Sequence, residues 1–167
     1  MDLTDLRPAI LFIHVLAAFG FVLSHGVAVF VGFALRADPE PTRVRHLLEL
    51  SHAAFPMLYG TLLLALVTGI LGAIIAGQFG QLWPWLSIVV VVATFVAMYV
   101  LASGPLADVR EAIGMRSFRT RKDDPDPTAA GPDVVAARVA AYRPEVVAAI
   151  GIVALVSLIW LMRFRPF

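Results

Sequence analysis

Four histidines carry most of the chemistry that this sequence offers. His14 and His25 stand in an apolar run that begins near Ala9 and meets no full charge until Arg36. Eleven residues separate them, so on a helix they lie within about 20° of each other and about 16 Å apart along the axis. With Ala18, Phe21, Ala28 and Gly32 they make a seam at alternating steps of four and three, mostly of small residues beside the histidines. His46 and His52 follow in the next helical stretch, about 240° apart around it, and so share no face. The short hairpin between Arg36 and Thr42 predicts that His25 and His52 fall at nearly the same depth on two helices. Level imidazoles inside a helical bundle suit b-type haem, each neutral ring offering a nitrogen to the iron. The expectation is that His25 and His52 are the axial ligands of one haem b, with His14 a further cofactor-binding candidate.

The plainer reading is that these histidines hydrogen-bond between helices, at about 0.6 kcal/mol each on average. An ionisable residue inside a membrane span is nevertheless a functional hypothesis by default. His46, beside Arg45 and Glu49, reads as a solvated interface residue. Met57 and Met98, with His14, would suit a soft copper path, since thioether and imidazole favour Cu(I). Tyr59 and Tyr99 could bond a propionate or a quinone, and Arg45, Arg138 and Arg143 could pair with propionates. Neighbouring helices pack about 8–10 Å apart, so a porphyrin between the first two would need them splayed or diagonal. No acid/base pair, Gly-rich phosphate loop or Ser/His/Asp arrangement points to a soluble-type hydrolase or kinase. Cysteine is absent, which excludes disulfides, iron–sulfur ligation and a catalytic thiol.

The elements that must position these residues follow from composition. The chain has 167 residues, 60% hydrophobic and 15% charged, with a mean hydropathy of +0.86. A soluble domain is nearer 45–50% apolar and about 25% charged. Crossing a bilayer as helix takes roughly 20 apolar residues. Four spans meet or approach that length, at approximately 9–36, 43–77, 84–104 and 144–163, with a loop over about 105–133. The expected architecture is all-α, a single-domain, up-down, integral membrane four-helix bundle over residues 1–167, its partner the lipid bilayer. The first span follows an acidic start (Asp2, Asp5) and is too long for a signal core, so it reads as retained.

Basic residues set the expected orientation. Arg36, Arg43 and Arg45 lie between spans one and two, and seven more from Arg110 to Arg143 lie between spans three and four. Arg7, Arg163 and Arg165 are at the termini, and the Gln78–Pro84 connection has no charge. The positive-inside rule then places both termini outside the cytoplasm of a bacterial inner membrane. Trp83, Trp85 and Trp160 form the expected outer aromatic belt. Thr42 is the expected N-cap of the second helix, Pro56 its expected kink, and Gly104-Pro105 the close or bend of the third. Arg119–Asp133 is charged and proline-rich and reads as a mobile loop, with Asp133 capping a helical lead-in to span four.

The opening "LFIHVLAAFGFVLSHG" resembles the first span of small bacterial four-helix membrane proteins. These include the membrane domain of copper-resistance protein D and an uncharacterised family of integral membrane proteins akin to it. The oxygen-independent, histidine-dependent membrane protoporphyrinogen oxidase is a more distant likeness. A histidine near the start of the first span is typical of these groups, and His14 is the matching position. Phe19-Gly20-Phe21 stands where they often carry a tryptophan and paired glycines. The resemblance implies a haem- or metal-associated membrane protein. Three functions stay open: a haem b electron carrier serving a quinone or a larger membrane complex, a copper or small-solute transporter, and a cofactor-free subunit or assembly factor. A homo-oligomer is compatible with each, and nucleic acid is not an expected partner.

Overall fold

A computed structural model describes residues 3–166; Asp2, part of the acidic start, lies outside them. The described residues are helical apart from turns and one long loop. After a 3-10 turn at Leu3–Leu6 come α1 (Arg7–Ala37), α2 (Pro41–Ile75), α3 (Leu82–Met98), α4 (Gly104–Ala112), α5 (Pro132–Ala141) and α6 (Pro144–Phe164). A π-helical turn, Tyr99–Ser103, joins α3 to α4 without a break, so one helical stretch runs Leu82–Ala112. Four helical stretches, Arg7–Ala37, Pro41–Ile75, Leu82–Ala112 and Pro132–Phe164, are long and apolar enough to cross a membrane.

Local chemistry explains the boundaries, and several differ from expectation. Glu40, rather than Thr42, opens α2: its carboxylate accepts the N–H groups of Thr42 at 3.0 Å and Arg43 at 2.9 Å. Pro41 follows at the first helical position, where its missing N–H costs nothing. Those two bonds hold the Glu40 carboxyl below its usual range. Pro56 sits inside α2, which runs unbroken as helix to Ile75. Gly77, at φ +63°, ends that stretch in the left-handed region, its N–H bonding the Ile74 carbonyl at 2.9 Å. Gly104-Pro105 does not close the third stretch. The widened π turn precedes Pro105, which has no N–H to offer the preceding turn, and the helix continues to Ala112. α5 is capped by Gly131, with Asp133 in its first turn, where a carboxylate favours the positive helix end.

The chain divides into two compact units. The first comprises Met1–Val27, Ala54–Ala93 and Val153–Phe167. In it α1 and α2 approach closely at glycines: a Cβ on Gly20 would stand 2.8 Å from Thr61 Cγ2, and one on Gly69 2.9 Å from His14 Cε1. The Arg165 guanidinium lies 5.6 Å from the centre of the Trp83 ring, and Trp85 donates to the Phe79 carbonyl at 3.1 Å. The second unit comprises Ala28–Ala53 and Thr94–Ile152. Its core is built from one i,i+4 apolar pair on each of four segments: Val31 and Leu35, Val44 and Leu48, Val109 and Ile113, Val135 and Val139. That spacing puts both members of each pair on one helix face.

Polar bonds finish the second unit. Arg36 donates to the carbonyls of Ala140 at 3.3 Å and Tyr142 at 2.8 Å, satisfying the end of α5. Arg45 donates to the Ile113 carbonyl at the end of α4. The long loop read from residues 119–133 is tied down at several points. Arg116 pairs with Asp126 at 2.7 Å and also donates to the carbonyls of Arg121, Lys122 and Asp124. Gly114, at φ +73°, lets the chain turn against Pro127 and Ala129, and Ala130 donates back to the Ala112 carbonyl at 2.8 Å.

Candidate functional site

The seam read from α1 is buried in part at every position. His14, Ala18, Phe21, His25 and Ala28 are half-buried and Gly32 is buried; the deepest line, Ala17, Ser24 and Val31, runs beside it. Both seam histidines fall in the first unit, and the structure gives them different surroundings.

His14 is held by α2. Its Nδ1 lies 2.8 Å from the Ala65 carbonyl and 3.4 Å from Thr68 Oγ1, with Gly69 beneath the ring. A carbonyl only accepts, so the hydrogen sits on Nδ1 and is shared with the Thr68 oxygen. Thr68 directs its own hydroxyl to the Leu64 carbonyl at 2.6 Å, which leaves its oxygen free to accept. In the neutral form this places the lone pair on Nε2. One ring N–H on a backbone carbonyl fixes the tautomer and the orientation of the imidazole. Gly69 is required because a larger residue would meet the imidazole.

His25 is one turn from Phe21, and the two rings stack with centroids 5.8 Å apart and planes 11° from parallel. Among the described residues its ring nitrogens make no hydrogen bond. Ser24 beside it is buried and bonds the Gly20 carbonyl at 2.9 Å, so the polar groups of this turn are otherwise satisfied internally.

His52 lies in the second unit and is exposed. His46 is exposed and stands 3.7 Å from Glu49. Met57, Tyr59 and Tyr99 are all more than half exposed. Of the arginines considered for propionates, Arg45 is engaged by Ile113, and Arg138 lies 4.0 Å from Asp108. Among the described residues no group of three His, Cys, Asp or Glu side chains is placed to hold a metal ion. Two surface depressions, of about 450 Å³ by Ile74, Gly77, Phe79 and Gly80 and about 230 Å³ by Asp108, Glu111, Ala130 and Arg138, include no histidine.

The partners of His14 escaped sequence reading. The signal available was the Thr68-Gly69 step, a polar and a minimal residue side by side in an otherwise apolar run. Together the observations define, over the described residues, an all-helical protein with four helical stretches of membrane-crossing length and a histidine oriented by an interhelical hydrogen bond. In comparisons with known proteins, no family model, curated protein or solved structure matches the chain.

Proposed function

We propose that this chain is a four-span integral membrane protein that binds b-type haem through histidines of its apolar helices and passes electrons. One observation carries the reading: the Nδ1–H of His14 is committed to the Ala65 carbonyl, leaving Nε2 as an oriented donor. Imidazole nitrogens of this kind suit haem iron, and such cofactors are built into helical bundles from facing side chains. His25, half-buried without a hydrogen bond among the described residues, is the second donor of the first unit. About 16 Å along one helix separates the two, so they would serve different irons. His52 is the partner that the sequence suggests for His25. When bound, haem supplies one-electron chemistry; the protein's part is to orient the imidazoles and keep water away.

Orientation belongs to the same proposal. The basic connections at 36–45 and 110–143 would face the cytoplasm of a bacterial inner membrane, with both termini on the opposite side. A quinone or a larger membrane complex would receive the electrons. The test is the absorption spectrum of protein purified from haem-replete cells, with a pyridine haemochrome assay. His25→Ala and His52→Ala should each abolish a low-spin bis-imidazole spectrum if they share one iron, and His14→Ala should leave that spectrum largely intact. Colourless wild-type protein defeats the proposal. A second reading would then stand: His14, bonded to Ala65 and Thr68, is a clamp between α1 and α2 in a cofactor-free subunit.

A further inference from the structure

The turn after α4 carries Phe118, 59% exposed, although the backbone around it is firmly held. Ser117 Oγ donates to Glu111 at 2.5 Å and accepts the Arg119 N–H at 3.0 Å, while the Ser117 N–H bonds Thr120 Oγ1 at 3.1 Å. Arg119 reaches back to Asp108 at 2.6 Å and to the Gly104 carbonyl at 3.3 Å, with its guanidinium 5.6 Å from the Phe118 ring centre. A phenyl ring is thus presented outward by a braced turn. It is not isolated. Its centroid lies 5.8 Å from that of Tyr99, in the π turn. Tyr99 shares an exposed apolar face with Phe95, Val96 and Val100, so Phe118 extends that face past the helix and onto the loop. Exposed Arg121 and Lys122 follow three and four residues further on.

We propose that Phe118 is an interfacial anchor: its ring enters the headgroup–acyl boundary of the leaflet on the basic-loop side, with Arg121 and Lys122 at phosphate level. This rests on the reading of the chain as a membrane protein. The occupant is lipid rather than a partner protein because the ring continues a face that is apolar along the membrane-length helix, and because aromatic and basic residues side by side match the composition of that boundary. Asp123 and Asp124 oppose the two cations, so the hold is chiefly apolar and does not require anionic lipid.

The absence of cysteine makes the test direct. Phe118→Cys, Phe95→Cys and Pro125→Cys, each carrying a nitroxide, are compared in phosphatidylcholine vesicles with and without phosphatidylglycerol, by relaxation with oxygen and with a water-soluble nickel chelate. Position 118 should favour oxygen as position 95 does, in both lipids, and position 125 should favour nickel. Nickel access at 118 equal to that at 125 overturns the anchor and leaves the face to a protein partner. Nickel access at 95 as well would defeat the membrane reading itself. The native ring is tested in inside-out vesicles by trypsin cleavage at Arg119 and Arg121. Phe118→Ser should be cut roughly tenfold faster than wild type, given the apolar area returned to water, and Phe118→Leu much less so. Equal rates for Phe118→Ser and wild type also overturn the proposal.

Discussion

Gly69→Ala probes the packing of His14 most directly. The added methyl would stand 2.9 Å from Cε1 and 3.2 Å from Nδ1 of His14, inside the roughly 3.5–4.0 Å of ordinary carbon contact. The imidazole, held at 2.8 Å by the Ala65 carbonyl, cannot retreat without breaking that bond. Interhelical hydrogen bonds of this type contribute about 0.6 kcal/mol, at most about 1.7. Overpacking costs about 1–3 kcal/mol, and the better helix propensity of alanine returns up to about 1 kcal/mol. The net expectation is a loss of about 1–3 kcal/mol, read by reversible unfolding in mixed micelles. Gly26→Ala and Gly60→Ala are the controls, since a Cβ at either position meets nothing within 4 Å; they should be neutral or slightly stabilising. In a His14→Ala background the Gly69→Ala penalty should vanish. The reasoning is refuted if Gly69→Ala costs no more than Gly26→Ala, or costs the same with and without the imidazole.

Other substitutions test the second unit by the same unfolding measurement. Leu35→Ala, at a residue 1% exposed, should lose about 2–5 kcal/mol. Gly32→Ala should cost about 1–3 kcal/mol, because its methyl would meet buried Tyr142 at 2.8 Å and Pro144 at 3.1 Å. Arg36→Gln should cost about 1.5–3 kcal/mol, the usual worth of hydrogen bonds from a charged donor, through the carbonyls of Ala140 and Tyr142. Glu40 supplies a pH dependence. Its folded pKa is depressed below 4.5 by the Thr42 and Arg43 N–H groups, so its contribution is full above that value and is lost as pH falls through the folded one. Wild type and Glu40→Gln should therefore differ at neutral pH and converge in acid; a constant difference across that range would contradict the capping role.

Some of this protein could be read from local sequence alone. Four long apolar stretches, the Pro-bracketed hairpin at 38–41 and the seam on α1 depend only on composition and helical period, and the structure contains all of them. The i,i+4 pairs of the second unit's core are equally local in origin. Cap choice was less legible: Glu40 and Thr42 are both near the helix start, and only the backbone path decided that the longer carboxylate reaches two N–H groups. The proline at 105 signalled an interruption, yet a π turn absorbed its missing N–H and the helix went on. The charged segment after it had the composition of a loop, and the structure has a loop there; that Arg116 gathers four partners across it was set by the tertiary path.

The sequence by itself determined that His14 and His25 would line one half-buried face, because helical period fixes direction around an axis. Only the tertiary structure decided what each imidazole does there. His14 meets a carbonyl 51 residues away, and it does so because Gly69 lets α2 come close enough for the ring to reach Ala65. No pattern within α1 encodes that approach. Which nitrogen keeps its lone pair is set by the partner's geometry, and that partner lies on another helix.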